Sequence, residues 1–140
     1  RKYFKKHMIT LAINRDFQDT VRRCRAKRED AEGTWISDEI EEAYYELYRR
    51  GFALSIEAFE DGELAGGFYG AAVGKCFFGE SMFSEKTNGS KTALIAFSEY
   101  IKKKNEIIKK RIALRQEKWA AQLKAKKQRS SKKSENKDTN

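Results

Sequence analysis

A chain of 140 residues with a net charge of +9 and no proline has room for one domain with a mid-sized core. Its apolar runs fall well short of the ~20 residues that a membrane span needs, and no signal-peptide pattern opens it. Cys24 and Cys76 are too few and too far apart for a zinc site or a disulfide framework, so a reduced, cytoplasmic protein without membrane contact is expected.

The charge is segregated. Residues 1–28 carry +8, residues 29–101 carry −10 and residues 102–140 carry +11. An acidic core between two basic arms suggests a polyanionic partner such as RNA. Solvated charge with no partner is the competing reading of the C-terminal arm.

Tyr3 and Phe4 interleave with the basic residues of the first arm. Met8 to Ile13 (MITLAI) reads as a strand. Asn14 or Asp16 can cap a following helix through Arg28, with Phe17, Val21 and Cys24 on one face. Its other face shows Arg22, Arg23, Arg25 and Lys27, either a solvated surface or a phosphate-contacting one. Ser37 is a good N-cap for the next helix, Asp38 and Glu39 suit its positive end, and Gly51 closes it. Ile40, Ala43, Tyr44, Leu47 and Tyr48 form the expected buried stripe, its tyrosines read as packing.

Ala53 to Phe59 alternates and leads into Asp61-Gly62, a strong hairpin signal. A glycine-rich stretch follows, GGFYGAAVGKCFFGESMFS over residues 66–84. Ala53 to Phe83 therefore reads as an antiparallel meander, joined by the MITLAI strand. Glycines inside strands signal a bulge or the close approach of another backbone. Cys76, in an apolar run, is expected to be a buried thiol. Glu80, flanked by Phe77, Phe78, Met82 and Phe83, must be hydrogen-bonded, shifted in pKa or used. Ser90 reads as the cap of a last helix whose apolar face holds Ala93, Leu94, Phe97, Tyr100 and Ile101. The stripe continues through Ile108, Ile112, Trp119 and Leu123 on a lysine-covered helix, and the end of the chain is disordered by composition.

GTWIS at residues 33–37, GGFYG, GESMFS and NGSKTAL together resemble the leucyl/phenylalanyl-tRNA–protein transferases over roughly residues 1–101. The resemblance implies an α/β (α+β) acetyltransferase-like domain, an antiparallel meander with flanking helices, incomplete at its C-terminus in a fragment or shortened relative. The implied organisation is a transferase-like domain at 1–101, a basic amphipathic helix at 102–126 and a disordered tail at 127–140. The implied activity is transfer of Leu or Phe from the 3′ end of aminoacyl-tRNA to an N-terminal Lys or Arg of a protein, tagging it for degradation. A monomer without metal or organic cofactor is expected.

By the same similarity, Phe68, Phe77, Met82, Leu94 and Phe97 would line the amino-acid pocket. Trp35 would pack on the terminal adenosine, and Glu80 would hold the substrate amino group. Ordinary core packing is the competing reading for the apolar residues, and a structural ion pair for Glu80. His7, the one histidine, is given no catalytic role. Where the family runs into a strand bearing a relay Asp and Gln, this chain reads IIKKRIALRQ. That departure supports an alternative: an inactive relative that still binds tRNA or RNA.

Overall fold

The computed structural model of the chain describes residues 7–29 and 33–135; the start of the first basic arm, residues 1–6 with Tyr3 and Phe4, lies outside them. Strand β1 (Ile9–Ile13) leads to helix α1 (Phe17–Glu29) and helix α2 (Asp38–Arg49), followed by strands β2 (Ala53–Glu60), β3 (Glu63–Val73) and β4 (Cys76–Ser84) and helix α3 (Gly89–Glu135). The strands form one antiparallel sheet in the order β1-β2-β3-β4. The fold is α+β, with three helices among the described residues, and the expected meander with the MITLAI strand alongside is what forms.

Period-two alternation divides the sheet between two cores. Phe17, Val21 and Cys24 of α1 bury with Ile36, Ala53, Tyr69 and Phe83, and Ile40, Tyr44, Leu47 and Tyr48 of α2 pack against them. On the opposite face Ile56, Ala58 and Phe68 bury with Ala93 of α3, joined by Leu11, Leu54, Phe77 and Phe97. Tyr69 and Phe68 are chain neighbours, so they point to opposite faces. Ala43, expected in the α2 stripe, is exposed because α2 turns only one narrow face to the sheet.

The helix starts follow side-chain chemistry. Asp16 Oδ1 accepts from Asp19 N at 2.9 Å, and Ser37 Oγ accepts from Ile40 N at 3.4 Å, each satisfying a free donor of a first turn. Helix α2 closes in a Schellman arrangement, with Phe52 N donating to Leu47 O and Gly51 N to Tyr48 O. Glu57, only 4 % exposed, anchors α1 to β2. It accepts from Ser55 Oγ at 2.7 Å, Thr20 Oγ1 at 3.0 Å, and Arg15 N and Asp16 N at 3.4 Å, so a buried carboxylate is met by donors on all sides. The basic face of α1 is largely paired. Arg22 and Arg25 reach Glu41, Arg25 also reaches Asp38, and Arg23 and Lys27 reach Glu85.

Asp61 and Gly62 both adopt positive φ, at +54° and +89°, which makes the β2–β3 connection a type I′ hairpin turn. The β3–β4 turn places Cys76 at the start of β4, where it is exposed; Cys24 is the buried thiol. A position next to a two-residue turn lacks the helix cover that buries the middle of the strand.

Ser90 does not cap α3. The helix begins at Gly89, and Ser90 N donates to Ser84 Oγ at 2.9 Å, so the last residue of β4 satisfies the first turn. This close join explains the glycine: a Cβ on Gly89 would lie 1.7 Å from Ala65 O. Gly89→Ala should therefore cost about 2 kcal/mol by forcing α3 off β3, read as a lower urea midpoint with an unchanged m-value.

Helix α3 belongs to two compact units, one ending at Glu99 and one beginning at Tyr100. Within the first, Ala93 is buried and Leu94 is exposed; in the second, Ile101, Ile108, Ile112, Trp119 and Leu123 are all exposed. The helix continues past residue 126 to Glu135. No helix among the described residues is long and apolar enough to cross a membrane.

Candidate functional site

Strand β4 is an edge of the sheet and carries an irregularity where the sequence concentrates its unusual residues. Tyr69 pairs with Ser81 and Gly70 with Gly79, leaving Glu80 as an extra residue on β4. A β-bulge of this kind re-aims a side chain and raises local twist. Gly70 makes it possible, since a Cβ there would lie 2.0 Å from Phe78 O.

The bulge turns Glu80 toward α2. There its carboxylate lies near Tyr44, whose phenol is pushed up to about 12, first by burial and then by that carboxylate. Tyr44 is held by an edge-on contact with Tyr69, ring centroids 5.1 Å apart. Trp35 lies on the same side, in the segment before α2. It is 43 % exposed, while its carbonyl accepts from Ser37 N at 3.1 Å and the next residue, Ile36, is fully buried.

The other face of the same strands carries the expected apolar pocket residues. Phe68, Phe77 and Phe97 form a triangle of edge-to-face rings with centroids 5.8, 5.7 and 5.6 Å apart, a favoured aromatic geometry. Met82 is the cross-strand partner of Phe68 and stands on that face 45 % exposed; Leu94, three residues before Phe97 on α3, is 49 % exposed. The five apolar residues thus comprise a packed aromatic floor and two open, flexible rims. Glu80, beside Tyr44 of α2, lies toward the other face of the sheet.

A cavity of about 230 Å³ lies elsewhere, at the start of α1 among Arg15, Asp16, Asp19, Glu57 and Phe83, and includes none of the expected site residues. Tyr44 is the functional candidate that the sequence reading took for packing. Its phenol is invisible in a helical stripe, but Gly70 and Gly79 on paired strands foreshadow the bulge that brings Glu80 to it. One consequence is measurable. The unfolded chain releases the Tyr44 proton near pH 10 and the folded chain near 12. The stability this holds is complete below pH 10 and is lost as pH rises toward 12. Tyr44→Phe should flatten that part of the alkaline decline, measured by urea unfolding at stepped pH.

These features define an α+β domain with a carboxylate and an apolar aromatic surface meeting at one sheet edge. The chain matches the family described as leucyl/phenylalanyl-tRNA protein transferase over residues 1–119, beyond the motifs that end near Ile101. It belongs to that family. It is similar to the leucyl/phenylalanyl-tRNA–protein transferase of Pseudomonas fluorescens, 45% identical over 101 residues, covering 72% of this chain and 45% of the relative. The Idiomarina loihiensis protein of that name is 52% identical over 93 residues, 66% of this chain and 39% of the relative. The Flavobacterium johnsoniae one is 46% identical over 106 residues, 75% and 50%. The chain spans about half the length, or less, of these curated relatives.

Proposed function

We propose that the chain carries the aminoacyl-end recognition of a leucyl/phenylalanyl-tRNA–protein transferase. The observation that carries this reading is the bulged Glu80, beside Tyr44, on the strand whose other face bears the Phe68–Phe77–Phe97 triangle. Within an acetyltransferase-like domain at residues 1–101, the rings, Met82 and Leu94 take an apolar side chain without branching at Cβ. Trp35 offers a π-face to the terminal adenosine. Glu80 holds a substrate amino group by a charge-assisted hydrogen bond.

In the reaction of the whole family protein, the α-amine of an N-terminal Lys or Arg attacks the ester carbonyl of aminoacyl-tRNA. The new C–N amide bond forms, the C–O bond to the terminal ribose breaks, and the proton lost by the amine ends on that oxygen. An ester is already activated, so positioning and oxyanion stabilisation supply most of the catalysis and no cofactor is needed. The setting is the cytoplasm, where charged tRNA is found and free thiols stay reduced.

A phenylalanyl-adenosine analogue should bind more tightly than the alanyl analogue, each methylene or ring contact in an apolar pocket being worth about 1–3 kcal/mol. Equal affinities would remove the assignment.

A second reading, binding of tRNA ends without transfer, is favoured by α3, which runs as helix through Glu135 where the resemblance implies a strand bearing the relay Asp and Gln. In either reading the basic arm from residue 102 onward, helical through Glu135, adds RNA affinity. Binding should then weaken with salt, log K falling by about 0.7 per phosphate contacted for each unit of log salt. Deleting Lys124–Asn140 should flatten that slope while leaving leucyl/alanyl discrimination unchanged. Identical slopes in titrations of both proteins would mean that the arm contributes no contacts.

A further inference from the structure

Among the described residues, the one grouping of three side chains able to hold a metal ion is His7, Glu60 and Asp61, at the β2–β3 turn and toward the opposite end of β3 from the Glu80 bulge. His7 Nδ1 is 3.1 Å from Glu60 Oε1 and 3.1 Å from Asp61 Oδ2, and the three ligand atoms lie within 4.8 Å of one another. Bonds of about 2.0–2.2 Å at a tetrahedral angle put zinc-ligand atoms about 3.4 Å apart. Both His7 separations therefore stand close to the spacing that a tetrahedral ion needs, and zinc's fourth position would take water.

The site is preformed by the backbone. Asp61 sits in the type I′ turn, and its Oδ1 accepts from Met8 N at 2.9 Å while its own N–H donates to Met8 O at 2.9 Å. That pair fixes β1 against the turn and aims Oδ2 at the imidazole, the orienting role that outer hydrogen bonds play around metal ligands. Glu60 is nearly buried. Lys86 lies nearby, donating to Glu60 O, but its ammonium is met by Glu63 at 2.7 Å. Among the described residues, the three carboxylates Glu60, Asp61 and Glu63 stand there against the one ammonium of Lys86.

We propose that His7, Glu60 and Asp61 form a three-ligand site for a divalent transition-metal ion of the zinc class, which clamps the start of β1 to the β2–β3 turn. The imidazole coordinates through Nδ1 with its proton on Nε2. Zinc takes the place of the hydrogen bonds that Nδ1 makes in its absence, and protons compete with it for that nitrogen, so binding weakens as the solution is acidified.

The test uses the full chain, stripped with a chelator and titrated with zinc chloride by calorimetry, alongside NMR of the imidazole. His7 is the only histidine, so its ring signals report this site alone. Expected are one zinc per chain, ring signals that shift in step with that stoichiometry, and a melting temperature raised by zinc and lowered again by chelator. His7→Gln and Asp61→Asn should each weaken binding at least tenfold while Cys76→Ser leaves it unchanged. Circular dichroism of each variant before titration confirms that it folds. Absence of binding, undiminished binding in His7→Gln, or loss only in Cys76→Ser would each overturn the proposal.

Discussion

Replacing Glu80 by Gln should cut aminoacyl transfer about thirtyfold while leaving the melting temperature unchanged. A carboxylate that holds an ammonium group contributes about 2 kcal/mol more than a neutral amide can, and 1.36 kcal/mol is a factor of ten in rate. Stability should survive, because Gln keeps the size of Glu and the bulge depends on Gly70, whose Cβ would meet Phe78 O at 2.0 Å. Tyr44→Phe should lower transfer by a smaller factor, since it removes only the group that aims the carboxylate. Equal losses of stability and activity in Glu80→Gln would identify a structural partner of Tyr44, as expected for a broken buried polar pair.

Truncating Phe77 to Ala should do two things at once. It opens one corner of the ring triangle, 5.8 Å from Phe68 and 5.6 Å from Phe97, at a cost of about 2–5 kcal/mol of stability. It should also weaken binding of a phenylalanyl-adenosine analogue more than binding of adenosine, because the proposed pocket assigns the amino-acid side chain to this ring and the base to Trp35. Leu94→Ala separates the two effects. Leu94 is 49 % exposed, so its loss should spare stability and still reduce the preference for the phenylalanyl ligand. A preference unmoved by both substitutions would return these residues to ordinary packing.

The elements were legible because their signals are local. Asp61-Gly62 between alternating runs, Ser37 before two acids, and Phe17, Val21 and Cys24 at helical spacing each specify their structure within a few residues. What the sequence concealed depends on contacts between distant elements. Ser90 looks like a cap, yet Ser84 arrives from β4 to bond its N–H. Cys76 sits in an apolar run and is exposed because the turn leaves the strand end uncovered. Phe68, Phe77 and Phe97 pack as one triangle of rings. That Glu80 turns to the other face follows from one extra residue on β4, and a bulge shifts pairing without changing composition. The role of Tyr44 follows from that same shift.

The account rests on β4 bearing the aminoacyl site, and the most direct measurement is transfer itself. Labelled Leu or Phe on its tRNA is incubated with the purified chain and a peptide beginning with Arg or Lys, and label in the peptide is counted. The account predicts label transferred to those peptides, absent with an N-terminal Ala or Glu, and sharply reduced in Glu80→Gln. No transfer together with no preference for leucyl or phenylalanyl over alanyl ends would contradict it.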